Sequence, residues 1–390
     1  MRVLALSLLR PWPIRDGTSL RRASIARALS RLVDLTVICP APAAEEPDGA
    51  VPPGITVHPF AARPVGRPSP LTYWRKDVWP FHLDPQPLTD AAEQVAGRHR
   101  FQAVICWAGA ELSAWSAFGS AACFDVTDCR SLTQWRQARY GRTWRERLAG
   151  VKDAMLLSAY ERLVMPRHRV ILVAGSDDAR VIKRIARGRR IEVLANGVDT
   201  GFFAPRAGTR SARPTVVFSG TLDYAPNVDA ACFLADRIWP AVRAVVPDAR
   251  LMIVGERPAA PVRALTRHPG IEVVGSVPDI REPLGAAWVG VAPMRSGAGV
   301  KNKVLEAWAM GLPVVMTSRA ASGLEASAAT AAVVTDDPRG FAEAVATLLR
   351  APEQRRRLGQ AARDTVVSRH TWDEVGARLR DILIHDCGEG

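Results

Sequence analysis

The sequence predicts an α/β protein made of two parallel-sheet, Rossmann-like lobes. Short apolar runs alternate with amphipathic stretches along the first half of the chain, and the same rhythm begins again at Thr215. Between the two series, the stretch from Pro205 to Pro214 is rich in Gly, Arg and Pro and has no apolar period. Alternating strands and helices form right-handed βαβ units, whose strands lie side by side in a parallel sheet. We therefore expect one parallel sheet in each half of the chain.

Each series contains apolar runs that we interpret as buried strands, because they are short and are separated by helical patterns. The runs of the first series are 2–9, 35–39, 55–60, 103–106, 123–126 and 170–173. Those of the second series are 215–218, 251–254, 271–274, 288–292, 313–317 and 331–334.

The domain boundaries are expected near residues 200 and 370. Asn196-Gly197-Val198-Asp199 is typical of a turn, and the 205–214 segment after it suits a hinge. Arg369-His370-Thr371-Trp372 marks a break before a last amphipathic helix. We expect an N-terminal lobe at 1–200, a C-terminal lobe at 201–370, and a helix at 371–390 that packs back on the first lobe.

The composition is that of a globular protein, with 48% hydrophobic and 23% charged residues among 390, which argues against disorder. No apolar run reaches the ~18 residues needed for a membrane span, and the N-terminal segment lacks a small-residue cleavage site. The six cysteines are scattered without a C-x-x-C pair, which suits buried thiols in a reducing compartment. We therefore expect a cytoplasmic protein without a metal site.

The formal net charge of +13 allows three anionic partners: nucleic acid, a membrane surface or phosphate-bearing small molecules. Residues 130–152 hold seven Lys/Arg and a single acid, Glu146, interleaved with Trp135, Tyr140 and Trp144. This mixture suits a basic amphipathic helix lying on anionic lipid headgroups. The alternative is a solvated helix whose aromatic residues face the core. No nucleic-acid motif accompanies the charge, so we expect no nucleic-acid partner.

Two strand-turn-helix junctions offer anion sites at equivalent places in the two lobes. Gly17 follows the first strand, and Gly220 ends the first strand of the second lobe, with Asn227 near the start of the next helix. At such a junction, backbone N–H groups and the helix dipole favour a phosphate. A plain turn is the alternative at Gly17. Together the two junctions predict a phosphate-bearing ligand.

A third segment, Gly297 to Val315, gives the strongest signal. Gly299 opens a predicted helix whose first turns hold Lys301, Asn302 and Lys303, and Glu306 follows. Lysines at a helix start oppose the helix dipole unless an anion lies there, and a carboxylate accepts the hydrogen bonds of a ribose diol. The alternative is an exposed ion pair between Lys303 and Glu306.

Two carboxylates, Asp125 and Asp128, follow another strand of the first lobe. The carboxyl edge of a parallel sheet is where ligands bind. Asp128 is our first candidate for orienting a sugar or an acceptor hydroxyl, and Asp125 is the second. Capping of the next helix by Asp128 or Ser131 is the alternative interpretation.

The stretch from Gly297 resembles the donor-binding signature of glycosyltransferase family 4, which has the GT-B fold. The resemblance extends to the sugar transferases of bacterial exopolysaccharide and protein-sorting loci. It lies in Ser219-Gly220-x-x-Asp223-Tyr224-x-Pro226-Asn227-x-Asp229-Ala230 and Asn302-Lys303-Val304-Leu305-Glu306-Ala307-x-Ala309-Met310-Gly311. It implies GT-B architecture, with two Rossmann-like lobes facing each other across a cleft, an N-terminal acceptor lobe and a C-terminal donor lobe.

The resemblance also implies roles for single residues. Glu306 matches the glutamate that binds the donor ribose, Gly17 matches the glycine near the diphosphate, and the backbone of Gly275-Ser276-Val277 matches the loop that reads the nucleotide base. Two departures stand out. Ala298 replaces a family glutamate, and the usual Arg and Lys after the first strand of the second lobe are missing, so Lys301 or Lys303 must supply the cation.

These residues predict sugar transfer from a UDP- or GDP-linked donor to a saccharide, lipid-linked or small-molecule acceptor, without a metal or other cofactor. By resemblance, the anomeric configuration is retained. One alternative is a nucleotide-sugar epimerase on the same fold. Another is a non-catalytic, membrane-associated assembly partner, which Ala298 and the absent Arg/Lys pair favour.

Overall fold

The computed structural model describes residues 1–14, 16–42, 51–64, 84, 86–107, 122–127, 129–140, 143–206, 208–297 and 302–387. The chain divides into two compact units. The first unit comprises Met1–Leu132, Asp153–Asn196 and Trp372–Gly390, and the second comprises Thr133–Lys152 and Gly197–Thr371.

Within the described residues, the first unit contains a sheet of seven parallel strands in the order β3-β2-β1-β4-β5-β6-β7. The strands are β1 Arg2–Ser7, β2 Asp34–Pro40, β3 Ile55–Phe60, β4 Ala103–Trp107, β5 Ala122–Thr127, β6 Val170–Val173 and β7 Arg190–Val193. The sequence did not predict β7. It is an edge strand with an exposed arginine and three half-buried residues, so it lacks the apolar run of a central strand.

The second unit contains a six-stranded parallel sheet in the order β10-β9-β8-β11-β12-β13, again among the described residues. Its strands are β8 Thr215–Ser219, β9 Arg250–Val254, β10 Ile271–Gly275, β11 Val289–Ala292, β12 Val314–Met316 and β13 Ala332–Val334. The predicted α/β fold with two parallel sheets is confirmed.

Helices follow most strands in both units. They are α1 Gly17–Leu29, α2 Gln86–Arg98, α3 Arg130–Tyr140, α4 Trp144–Val164, α5 Ser176–Ile185, α6 Ala225–Phe233, α7 Trp239–Val245, α8 Ala260–Arg263, α9 Arg281–Ala286, α10 Asn302–Ala309, α11 Glu325–Ala331, α12 Pro338–Arg350, α13 Pro352–Arg369 and α14 Trp372–Cys387. Two 3-10 segments, Met165–Arg167 and Ala264–Arg267, and a π segment, Leu234–Ile238, extend neighbouring helices.

The last helix, α14, packs against α1 in the first unit. Val375, Leu379 and Leu383 are buried in the same cluster as the apolar residues of β1 and α1. A Cβ atom at Gly376 would lie only 2.7 Å from the Cβ of Ala28. The absence of a side chain at Gly376 therefore allows the two helices to approach closely.

The chain divides between the units at Asn196 and Gly197, where a parallel bridge joins Val198 to Thr371. The 205–214 segment lies inside the second unit. There the backbone N–H of Ser211 donates to the Ala286 carbonyl at 3.0 Å, and Arg210 also contacts backbone of its own unit. These bonds anchor a segment that has no apolar period.

Each sheet has a switch point, where the chain turns from building one side of the sheet to building the other. In the first sheet β1 lies between β2 and β4, and in the second β8 lies between β9 and β11. In open parallel sheets, ligands bind beyond the carboxyl ends of the strands at this point. Ser7 and Ser219 end β1 and β8, so the turns after them lie at the two switch points.

Candidate functional site

The turn after β8 is built around the side chain of Asn227, which is buried near the start of α6. Its Nδ2 donates to the carbonyl of Thr221 at 2.9 Å. Its Oδ1 accepts a hydrogen bond from the Nζ of Lys303 at 2.9 Å. Asn227 therefore fixes the turn with one end of its amide and positions a cation with the other.

Lys303 is held from two sides. Besides its bond to Asn227, its ammonium lies 4.1 Å from the ring centroid of Phe218, in β8. A cation over an aromatic face is attracted by the ring quadrupole. The charge of Lys303 therefore lies directly over the carboxyl end of the central strand of the sheet.

Gly220 leaves room for this arrangement. Its φ of +150° falls in a region that L side chains rarely adopt. A Cβ at this position would lie 2.8 Å from both Lys303 Nζ and Asn227 Nδ2. Glycine is therefore required here by its backbone conformation and also by the close approach of the cation.

Two further glycines continue the same edge of the sheet. The backbone N–H of Gly255, after β9, donates to the carbonyl of Gly275 at 2.8 Å. A Cβ at Gly255 would lie 1.7 Å from the carbonyl oxygen of Gly220. At Gly275, by contrast, a Cβ would meet no atom within 4 Å. Half-buried Val277 follows it in the loop after β10.

The helix that carries Lys303 begins at Asn302, so both residues lie in its first turn. We expected the helix to open at Gly299. Gly299 and Lys301 lie outside the described residues, as does Ala298, and their roles stay predictions.

Glu306 follows Lys303 by one helical turn and is half-buried. Burial raises the pKa of Glu306 to about 7, and the nearby Lys303 charge partly counteracts that rise. Within the described part of the chain, the Glu306 carboxylate forms neither an ion pair nor a side-chain hydrogen bond. The alternative of an exposed ion pair between Lys303 and Glu306 therefore has no support. Glu306 thus changes its charge near neutral pH, and ligand hydroxyl groups that donate to it would favour the carboxylate.

An arginine that sequence reasoning missed lies beside this site. Arg295 follows β11 and pairs with Asp229 of α6 through both its Nε, at 3.1 Å, and Nη2. Its guanidinium carbon also lies 4.5 Å from the ring centroid of Phe233. Nothing in the local sequence links positions 229 and 295, because only the fold brings α6 next to the β11 loop.

A second arginine holds the same loop. Arg136 of α3 donates from Nη1 to the carbonyl of Gly297 at 2.7 Å. Gly297 directly precedes the undescribed residues 298–301, and Asn302 directly follows them. The described part of the loop after β11 is therefore anchored at two points, by Arg295 at Asp229 and by Arg136 at Gly297.

In the first unit, Gly17 is exposed and begins α1. The N-cap residue is Asp16, whose Oδ1 accepts from the backbone N–H of Ser19 at 2.7 Å, while its own N–H donates to Ser19 Oγ at 2.9 Å. This capping box places a carboxylate at the helix start. Asp16 would therefore compete with any anion that approached the helix there.

Asp125 is not a ligand-facing group. It is 2% exposed, and Arg21, which is fully buried, donates to it from Nε at 3.0 Å and Nη2 at 2.9 Å. Arg21 also bonds to Leu194 O at 3.0 Å and to Asn196 Oδ1 at 2.6 Å. We therefore assign Asp125 a structural role in place of the expected role of orienting a sugar. The first candidate, Asp128, lies outside the described residues.

The start of α3 is capped by acids from other helices. The backbone N–H of Cys129 donates to Asp178 at 3.0 Å, and that of Ser131 donates to Glu161 at 3.1 Å. Burial is the main cause that raises the pKa of Glu161. Capping at this helix thus comes from Asp178 and Glu161, and Ser131 contributes its N–H group and its hydroxyl as donors to Glu161.

The described residues contain no group of three or more His, Cys, Asp or Glu side chains placed to hold a metal ion. Of the helices in the described ranges, none combines the length and the apolar character that crossing a bilayer requires.

Comparison with known proteins finds a family match within the second unit. The family described as Glycosyl transferases group 1 matches residues 213–351. A curated relative, the GDP-mannose-dependent monoacylated alpha-(1-6)-phosphatidylinositol monomannoside mannosyltransferase of Corynebacterium glutamicum, is 30% identical over 212 residues. That match covers 49% of this chain and 55% of the relative, so it spans about half the length of the relative.

Solved structures match over nearly the whole chain. Sucrose-phosphate synthase from Thermosynechococcus elongatus has a TM-score of 0.73 at 15% identity and covers 98% of both chains. Anabaena HepE in complex with UDP and glucose has a TM-score of 0.65 at 13% identity and covers 99% of this chain and 100% of its own. The protein therefore has the GT-B fold of glycosyltransferases, and its second unit contains a region that matches glycosyl transferases of group 1.

Proposed function

We propose that this protein is a glycosyltransferase that moves a hexose from a UDP- or GDP-linked donor to an acceptor hydroxyl. The observation that carries the proposal is the ammonium of Lys303, held by Asn227 over Gly220 at the switch point of the second sheet, one helical turn before Glu306. The HepE complex with UDP and glucose and the GDP-mannose-dependent relative support a nucleotide-sugar donor.

In the proposed reaction, the bond between the anomeric carbon and the diphosphate oxygen breaks, and negative charge builds on the leaving diphosphate. Lys303 stabilises this charge more in the transition state than in the ground state, which lowers the barrier. Lys301 and the backbone at Gly299 lie next to Lys303 in sequence and are proposed to add to the same site. The cationic side chain thus takes the part of a divalent metal, and we propose a metal-independent transfer.

The other donor groups have distinct proposed roles. Glu306 accepts hydrogen bonds from the two ribose hydroxyls, and Asn302 contacts the donor at the helix start. The open backbone around Gly275 leaves space for a base beside Val277. Gly17, in the first unit, is proposed to contact the diphosphate, in competition with the Asp16 carboxylate at the same helix start.

On the acceptor side of the reaction, the proposed group is Asp128 of the first unit. Asp128 orients the transferred sugar or the acceptor hydroxyl, and the departing phosphate accepts the acceptor's proton, so that the anomeric configuration is retained. A saccharide or lipid-linked acceptor would place the protein in polysaccharide or glycoconjugate biosynthesis, of the kind encoded in exopolysaccharide loci.

A panel of UDP- and GDP-sugars, each incubated with the protein with and without a bacterial lipid extract, tests the proposal. Nucleotide release that depends on an acceptor supports a transferase. Interconversion of sugars without an acceptor would instead identify an epimerase, and the absence of both reactions would favour a non-catalytic assembly partner.

Association with the inner face of the cell membrane is part of the proposal, and the exposed start of α4 supports it. Every residue from Thr143 to Ala149 is exposed. Trp144 and Leu148 are 67% and 60% exposed, and Trp135 on α3 is 46% exposed. Apolar side chains among arginines suit the headgroup region of an anionic bilayer.

Sedimentation with phosphatidylglycerol vesicles tests this association. The double variant Trp144→Gln, Leu148→Gln should lose binding. Ile384→Gln, which changes an apolar residue of α14 that is 46% exposed, should not. Equal binding by both variants would rule out the start of α4 as the membrane contact.

A further inference from the structure

A second cationic feature lies at the opposite edge of the second sheet. A cavity of ≈430 Å³ opens among residues that precede β8, β11 and β12 and residues of α13. We name it the arginine pocket because four arginines line it: Arg210, Arg355, Arg356 and Arg363. Trp288 also lines it. Among the described residues that line it, none is acidic.

Three of these arginines bond to backbone carbonyl groups. Arg355 Nη1 donates to Leu348 O at 2.7 Å and Leu349 O at 2.8 Å. Arg363 donates to Ala309 O at 2.6 Å, among other carbonyls, and Arg210 Nη2 donates to the Gly311 carbonyl at 3.4 Å. Carbonyl oxygens accept hydrogen bonds but carry no net charge to neutralise a guanidinium.

The contrast with other arginines of the same unit is clear. Arg257 and Arg295 each bond to an aspartate. For Arg210, Arg355 and Arg363, by contrast, no carboxylate lies within ion-pair distance in the described part of the chain. Capping of the carboxyl ends of α12 and α10 explains the bonds of Arg355 and Arg363. It does not explain why three arginines that have no carboxylate partner among the described residues surround one cavity, whereas the fourth lining arginine, Arg356, pairs with Glu353.

Two of these charges, those of Arg210 and Arg355, also oppose each other. Burial, followed by the charge of Arg355, lowers the pKa of Arg210, and burial lowers the pKa of Arg355 and of Arg363. Among the described residues, Arg355 bonds to carbonyls through Nη1 alone, so its Nε and Nη2 still have donors to offer. Its guanidinium lies over the Trp288 ring at 4.3 Å. An anion in the pocket would relieve the repulsion and use these donors.

We propose that the arginine pocket binds a small phosphate-bearing anion, at a site separate from the proposed donor site. A guanidinium matches the oxygens of a phosphate in a bidentate manner, and small-molecule sites have volumes of about 300 to 1,000 Å³. The pocket lies at the amino edge of the sheet, whereas Lys303 lies at the carboxyl edge, so its ligand takes no part in sugar transfer. A phosphorylated metabolite that regulates the enzyme would fit this position.

Titration calorimetry with inorganic pyrophosphate tests the proposal. The Lys303→Ala protein is used as the background, since pyrophosphate could also bind at the donor site. Adding Arg355→Gln should weaken pyrophosphate binding by about tenfold or more. Adding Arg339→Gln instead removes an exposed arginine that pairs with Glu343, and it should leave the affinity within about twofold.

Absence of pyrophosphate binding to the Lys303→Ala protein would overturn the proposal, as would equal losses in the Arg355 and Arg339 variants. If Arg355→Gln does not fold, Arg210→Gln replaces it, since Arg210 also lines the pocket. Arg355-dependent binding to phosphatidylglycerol vesicles without pyrophosphate binding would also contradict a soluble ligand. None of these outcomes depends on transferase activity.

Discussion

The ammonium of Lys303 lies 2.9 Å from Asn227 Oδ1, although the two residues are 76 positions apart. The bond joins the first turn of α10 to the start of α6, and both helices begin at the carboxyl edge of the second sheet. A helix start favours an anion, and here a fixed lysine adds a full charge to that preference. The pairing therefore favours an anion at the turn of Gly220.

Replacing Lys303 by alanine should reduce turnover and the affinity for the nucleoside diphosphate product together. The loss of one preorganised group that stabilises a developing negative charge costs about 10²- to 10³-fold in kcat. Steady-state kinetics and product-inhibition constants measure the two effects. Lys183→Ala, which removes an exposed lysine of α5, is the control, and unchanged kinetics in Lys303→Ala would contradict the assigned role.

Alanine at Gly220 should abolish donor binding and lower stability. The new Cβ would lie 2.8 Å from Lys303 Nζ and Asn227 Nδ2 at a φ of +150°, and such a strained conformation costs about 1–3 kcal/mol. Urea unfolding and nucleotide-sugar titration measure the two losses. Gly188→Ala has a positive φ of +77° but open space around it, so it should lose stability and keep donor binding. Similar donor affinity in the two variants would argue against crowding at Gly220.

The pH dependence of donor use should follow Glu306. Burial raises its pKa from 4.5 to about 7, and only the carboxylate accepts both ribose hydroxyl bonds. Therefore kcat/KM for the donor should rise as the pH increases through 7, and Glu306→Gln should remove this rise and lower kcat/KM at high pH. A rise that persists in Glu306→Gln would assign the titration to another group.

The raised pKa of Glu306 also makes the free energy of unfolding depend on pH, in a direction that proton linkage fixes. Because the folded-state pKa lies above 4.5, the contribution of protonated Glu306 is complete below that value and is lost as the pH rises through about 7. The free energy of unfolding of the ligand-free protein should therefore fall over this range, and less so for Glu306→Gln. Chemical denaturation at several pH values checks the difference between the two curves.

Breaking the buried pair of Arg21 and Asp125 should strongly destabilise the first unit. The side chains are 0% and 2% exposed, and removal of one partner from a buried ion pair costs about 3–5 kcal/mol. Asp125→Ala should show this loss in urea unfolding. The exposed pair of Arg339 and Glu343 provides the comparison, because Glu343→Ala should cost about 0–1 kcal/mol. A loss of less than about 3 kcal/mol in Asp125→Ala would contradict the structural role of the pair.

Most strands were predictable because a central strand of a parallel sheet is buried on both faces and needs a continuous apolar run. Strands β3 and β6 coincide with their predicted ranges, and the other predicted strands differ only at their ends. Edge strand β7 was missed because its outer side has no neighbour to bury it. The predicted start of α10 at Gly299 stays a prediction, because Gly299 lies outside the described residues and the described part of the helix begins at Asn302.

The sequence by itself determined the two parallel sheets and the residue types at the turn after β8, since both depend on short-range patterns of apolar, glycine and charged residues. Only the tertiary structure decided which side chains meet. It buried Asp125 against Arg21, paired Arg295 with Asp229, and gathered the arginines of the pocket around one cavity. Such pairings join residues far apart in the chain, and their distances are set by how helices pack on the sheet, which no local pattern encodes.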